Sequence, residues 1–171
     1  MKQAEDLIRL LNLQPHPEGG FYREIHRSDD DLPEESLPER YTGKRSLITS
    51  IYYLLKGNDF SAFHRLRSDE LWHFHAGEVL EVFILGNDGT LNIRMLGPDP
   101  GSGHQFQVMI PRGHWFAARL KDSGSFCLTG CTVAPGFDFS DFELAERSQL
   151  LQIFPEHKEY IIQLTRDQVV P

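Results

Sequence analysis

Positive charge, cysteine and long apolar runs are what this 171-residue chain has least of, and each shortage removes a class of function. Lysine and arginine number 17 against 25 acids, a formal net charge of −8. A field of that sign repels nucleic acid and anionic membrane, and no run of neighbouring basic residues offsets it. Two cysteines, Cys127 and Cys131, are too few for a disulfide framework. On one extended strand their Cα atoms would stand about 13 Å apart, beyond bridging distance. They read as reduced core residues of an intracellular protein. No run of about 18 apolar residues is present to cross a bilayer. The opening Met1-Lys2-Gln3-Ala4-Glu5-Asp6 has acids where a signal peptide needs a basic region, so the expected location is the cytoplasm. Also missing are a G-x-S-x-G elbow, a P-loop, a G-x-G-x-x-G between strand and helix, and any internal repeat.

What remains is an ordinary globular composition, 40% hydrophobic and 25% charged, in a length that suits one domain over residues 1–171. Leu7, Ile8, Leu10 and Leu11 recur at helical spacing, predicting a short amphipathic helix over 3–12. His16-Pro17-Glu18-Gly19-Gly20 reads as an irregular turn, followed by an extended segment over 21–26. Residues 28–39 are acidic, proline-bearing and non-periodic, and predict a mobile surface loop. From 45 to 133 the pattern becomes about eight short strands separated by turn chemistry, with Gly86-Asn87-Asp88-Gly89 a strong hairpin signal. Strands at regular spacing without helices between them predict an antiparallel sandwich or barrel. The segment from about 141 to 165, with Phe142–Phe154 and Pro155–Leu164, reads as helical.

The candidate chemistry centres on Phe63 to Gly77, which holds His64, Glu70, Trp72, His73 and His75. Imidazole and carboxylate are ligands for a divalent metal and equally an acid–base pair. Strand alternation places Glu70, Trp72 and Phe74 on one face, and Leu71, His73 and His75 on the other. The coherent set is therefore either His64 with Glu70, or His73 with His75 and Glu81. Glu81 alternates with Val79, Phe83 and Leu85, apolar company that predicts burial and a partner. Phe63, Trp72, Phe74, Trp115 and Phe116 are first of all core, and as cavity walls would line a pocket. Arg23, Arg94, Arg112 and Arg119 are candidates to grip an anionic group, though a single arginine is more often surface charge.

Glu70-x6-Gly77 after His64, and Pro111-x-Gly113 after a strand, resemble the two motifs of the cupin superfamily. Three stretches are more specific: His16-Pro17-Glu18-Gly19-Gly20-Phe21-Tyr22-Arg23-Glu24, Ser68-Asp69-Glu70-x-Trp72-His73-Phe74-His75-Ala76-Gly77, and Gly130-Cys131-x-Val133-x-Pro135-Gly136-Phe137-x-Phe139. Together they resemble the Cupin-5 branch, long labelled a domain of unknown function, over residues 5–165. The resemblance implies a jelly-roll (RmlC-like) β-barrel, commonly dimeric, with a cavity open at one end. It carries no established reaction. Metal-binding cupins have His-x-His where this chain has Ala62-Phe63-His64, and a histidine where it has Phe116, so two of four usual ligands, His64 and Glu70, remain.

Three functions follow as expectations. The first is a metal-independent isomerase or epimerase acting on an anionic or sugar-like metabolite, with His64 or His73 as base, Glu70 or Glu81 supporting it and Tyr22 as acid. Phe63, Phe116, Trp72, His75, Arg23, Arg94 and Arg119 would then contribute to binding. The second is a divalent-metal enzyme with a reduced ligand set of His64 and Glu70 completed by His75, or else by His73 or Glu81. The third is a non-catalytic binder or sensor. All three make the partner a small molecule and the assembly a homodimer, with neither nucleic acid nor membrane involved.

Overall fold

The computed structural model describes residues 2–166. Helix α1 (Lys2–Leu10) is followed by strands β1 (Gln14–Pro15) and β2 (Phe21–Arg27). The short β3 (Asp31–Leu32) and β4 (Arg45–Ser46) pair with each other, with a 3-10 turn at Glu34–Ser36 between them. Within residues 28–39, expected as a mobile surface loop, Asp31 and Leu32 are thus paired to Ser46 and Arg45 by a small ladder. The main strands are β5 (Thr49–Lys56), β6 (Phe60–Leu66), β7 (Asp69–Gly77), β8 (Leu80–Leu85), β9 (Leu91–Leu96), β10 (Gln107–Ile110), β11 (Trp115–Leu120) and β12 (Phe126–Ala134). β13 (Phe142–Leu144) precedes α2 (Arg147–Ile153) and α3 (Lys158–Gln163).

Two antiparallel sheets face each other as a jelly roll. One has the order β1-β2-β5-β12-β7-β10 and the other β13-β6-β11-β8-β9. Between them lies a core that includes Tyr53, Trp72, Val82, Ile84, Phe116 and Ile110. The second sheet is buried on both faces. Its outer side, with Phe63, Phe83, Leu85 and Trp115, packs under Leu150, Phe154, Ile161 and Leu164 of the C-terminal helices. A third cluster joins Ala4 and Leu13 to Leu54, Phe126 and Leu128, seating α1 on the outside of the first sheet. The β8–β9 hairpin forms at the predicted turn, with Leu85 opposite Leu91. Among the described residues no helix is long and apolar enough to cross a membrane.

The C-terminal segment differs from expectation at its start. Phe142-Glu143-Leu144 is strand, not helix, and pairs with Leu66, Arg65 and His64 of β6. Edge pairing satisfies backbone groups that a helix beginning there would have left against β6. Helix begins only at Arg147, and Pro155 opens a 3-10 turn before α3. Cys127 and Cys131 both lie on β12, buried and free.

Candidate functional site

Between the sheets is a cavity of about 400 Å³ whose lining includes His16, Glu18, Tyr22, Tyr53, His64, Glu70, Trp72 and Phe142. Alternation along β7 aims Glu70 and Trp72 at this space, and β6 supplies His64 from the facing sheet. Glu18 arrives differently, on the turn that precedes β2. That turn requires its two glycines. Gly19 has φ +119°, and a Cβ there would stand 2.1 Å from the Phe60 carbonyl oxygen; Gly20 has φ +69°, with Leu54 O at 2.7 Å from the same position. Only glycine lets the backbone come so close to β5 and β6 while pushing the Glu18 side chain inward.

Glu18 is buried with Oε2 3.0 Å from His64 Nε2 and 3.5 Å from His16 Nδ1. Ser61 Oγ donates to its Oε1 at 2.8 Å. His64 Nδ1 lies 2.7 Å from the Ala62 carbonyl oxygen, which can only accept, so Nδ1 carries the proton and Nε2 faces Glu18 with its lone pair. One proton must therefore sit between Glu18 and His64. Burial raises the Glu18 carboxyl and pushes the His64 imidazole down to about 4, so both favour the neutral form, a carboxylic acid donating to imidazole. Ala62, His64, Glu18 and Ser61 form a closed polar chain along one wall.

Glu70 stands apart from that chain. It is 7% exposed, and burial is the main cause that lifts its carboxyl to about 8, with repulsion from Glu18 adding to it only when that carboxyl is ionised. Its Oε2 and the Trp72 indole Nε1 are close enough for the indole to favour the ionised carboxyl, but neither makes a well-formed hydrogen bond among the described residues. Around them Tyr53 tilts against Trp72 at 5.5 Å, and Tyr22 meets His16 edge-on at 4.6 Å. At the rim, Phe137 and Phe139 pack at 5.1 Å, and Arg27 donates to Glu24 and to the Phe137 carbonyl.

Of the residues predicted from sequence, the structure brings His64, Glu70, Trp72 and Tyr22 to the cavity. His73 and His75 lie on the outer face of the first sheet, where the His75 ring covers Gly130 and meets Tyr52 at 5.8 Å. Burial and neighbouring His75 lower the His73 imidazole there. Glu81 is also outside. Arg119 Nε donates to its Oε2 at 2.8 Å, and Arg119 continues to Gln163 beneath α3. Its apolar strand-mates face the helices rather than the cavity. Phe63 is in the same outer core, while Phe116 backs the site with its ring 3.9 Å from His64. Arg23 is exposed and bonds the Leu11 carbonyl; Arg94 and Arg112 are exposed as well. His16, Glu18, Tyr53 and Ser61 were not singled out. The signal was Glu18 followed by Gly-Gly, which reads as turn chemistry until the turn is seen to insert an acid.

The metal ligand set expected from the sequence is not assembled. His75 is on the wrong face, both His64 nitrogens are engaged, and among the described residues no three His, Cys, Asp or Glu side chains converge as ligands.

A jelly roll with its polar residues gathered between the sheets is the architecture of a cupin. The chain belongs to that superfamily: the Cupin_5 family model, described as Cupin superfamily (DUF985), matches residues 5–145. Protein SO0799 from Shewanella oneidensis is similar at 39% identity and TM-score 0.87, over 96% of this chain and 98% of that one. A hypothetical protein from Leishmania major is similar at 32% identity and TM-score 0.85, over 96% and 99%. The uncharacterized protein YML079W of Saccharomyces cerevisiae is 28% identical over 146 residues, 80% of this chain and 72% of that protein.

Proposed function

We propose that the protein is a metal-independent isomerase or epimerase acting on a small, uncharged, sugar-like or hydroxycarbonyl metabolite in this cavity. The observation that carries the reading is the pair of partnerless buried atoms, Glu70 Oε2 and Trp72 Nε1, on the cavity lining. Each orphan costs about 1–3 kcal/mol, a cost a ligand removes by accepting from the indole and bonding the carboxyl. A carboxyl near pH 8 can hold either protonation state close to neutrality, as proton transfer to and from carbon requires. Among the described residues Arg27 is the one arginine or lysine in the lining, and Glu24 already neutralises it. That supports an uncharged ligand over an anionic one.

The test is deuterium uptake from D2O by a panel of ketoses, aldoses and hydroxyketones, followed by NMR. Wild type should exchange a carbon-bound proton at a rate that rises between pH 7 and 9, survives chelator and disappears in Glu70→Gln. Wild type no faster than Glu70→Gln on every compound would refute catalysis. A non-catalytic binder is the second reading, favoured by the engagement of both His64 nitrogens, which makes that residue a structural pin. Saturable binding without exchange would select it. Exposed Ile93, Phe106 and Met109 along and beside edge strands β9 and β10 support a homodimer, which sedimentation equilibrium tests.

A further inference from the structure

Sequence order hides a concentration of arginines on this acidic chain. Arg40 comes from the long loop before β4, Arg65 and Arg67 from the end of β6, and Arg112 from the turn between β10 and β11. All four line one surface groove with Ser140, Asp141, Phe142 and Glu143. The acids there are already committed. Both Asp141 oxygens accept from buried Arg45 at 2.7 Å, and Glu143 accepts from Arg65 at 2.7 Å. Arg67 comes no nearer than 4.0 Å to Asp141, and Arg112 stands 3.8 Å from Asp69.

Arg40 has no acidic partner among the described residues, and Arg67 has only the 4.0 Å approach to an Asp141 already engaged by Arg45, yet both are held in place. Arg40 Nε donates to the Arg67 carbonyl at 2.9 Å, and Arg67 Nη1 donates to the Arg40 carbonyl at 2.8 Å. Tyr41 reinforces the clasp. Its hydroxyl donates to the same Arg67 carbonyl at 3.0 Å, and the Arg40 guanidinium lies 4.7 Å from its ring centroid. Carbonyl partners fix a guanidinium's direction while leaving its charge uncompensated and some of its donors available, which is the preparation that oxyanion recognition needs.

We propose that this groove is a binding site for a multiply charged oxyanion, a phosphoryl or diphosphate group on a small molecule. It is separate from the cavity, the two sharing only Leu66 and Phe142 as a common wall. It does not depend on the isomerase reading.

The experiment is calorimetric titration of the full chain with inorganic pyrophosphate at low, constant ionic strength, repeated with hexaglutamate. Arg112→Gln and Arg67→Gln are the test variants, and Arg94→Gln, an exposed arginine outside the groove, is the control. Arg112 is exposed with one long contact, so its loss leaves the fold intact. Saturable pyrophosphate binding, weakened about five- to tenfold by either groove variant and unchanged in the control, is the expected result. Absence of saturable binding, equal weakening in Arg94→Gln, or tighter binding of hexaglutamate than of pyrophosphate would overturn the assignment.

Discussion

Replacing Glu70 by glutamine should change how stability depends on pH more than stability at any single pH. The carboxyl is held near pH 8 in the folded protein and has an ordinary value of 4.5. Below about pH 4.5 it is protonated in both states and contributes no pH dependence. As pH rises, the unfolded chain releases this proton first, so the folded state binds more protons and loses relative stability through the window from 4.5 to about 8. At 1.36 kcal/mol per pH unit the accumulated loss is on the order of 5 kcal/mol. Glutamine occupies the same volume and cannot ionise, so the variant does not suffer that loss. Its extra amide proton must find a partner, a penalty of about 1–3 kcal/mol that does not vary with pH. Urea unfolding of both proteins from pH 5 to 9 measures the difference directly. The variant should be equal or less stable at pH 5 and more stable at pH 8.5, the curves crossing between. Other titrations are common to both proteins and largely cancel in the difference, except that of Glu18, whose repulsion by an ionised Glu70 is also lost in the variant and acts in the same direction. Two parallel curves would refute the claim that Glu70 is buried as a neutral acid.

Trp72→Phe keeps an aromatic ring in the core but deletes the partnerless Nε1, so stability should hold within about 1 kcal/mol while affinity for any cavity ligand falls; paired thermal melts and binding titrations separate the two. Glu18→Ala strands His64 Nε2 and the Ser61 hydroxyl and opens a void, and should cost about 3 kcal/mol in chemical denaturation. Gly19→Ala forces a Cβ against the Phe60 carbonyl at positive φ and should cost at least about 2 kcal/mol by the same assay. Asp141→Asn leaves the buried Arg45 guanidinium without its carboxylate, and a loss of about 3–5 kcal/mol in urea melts is expected.

The strand pattern was legible because alternation and turn residues are local. The same rule separated Glu70 and Trp72 from His73 and His75, but it does not say which face of β7 looks inward. That choice is made by the second sheet, whose Val82, Ile84 and Phe116 pack in one core with Trp72, while His75 lies over Gly130 and beside Tyr52 on the outer face. Glu81 misled for a related reason. Its apolar strand-mates did imply burial, but the second sheet has two buried faces, and these residues sit under the helices. Phe142 to Leu144 carried a helix-compatible composition that long-range pairing with β6 overrode. His16 and Glu18 were out of reach because a turn's conformation, not its residue types, decides whether its side chains enter a core. The arginine groove was invisible for the opposite reason, since its members are scattered from 40 to 112 and meet only through the fold.

The turn bearing Glu18 also has a keeper at the far end of the chain. Arg166 donates to the Glu18 carbonyl oxygen at 3.3 Å, to Phe60 O at 2.9 Å and to Asp59 at 2.8 Å, while Asp59 accepts from the Gly20 amide. The acid in the cavity wall is thus clamped by Arg166 and Asp59 together rather than by the sheets alone. Trimming the chain before Arg166 would unfasten an interior carboxyl without touching a single strand, so changes made to the tail for convenience reach directly into the pocket.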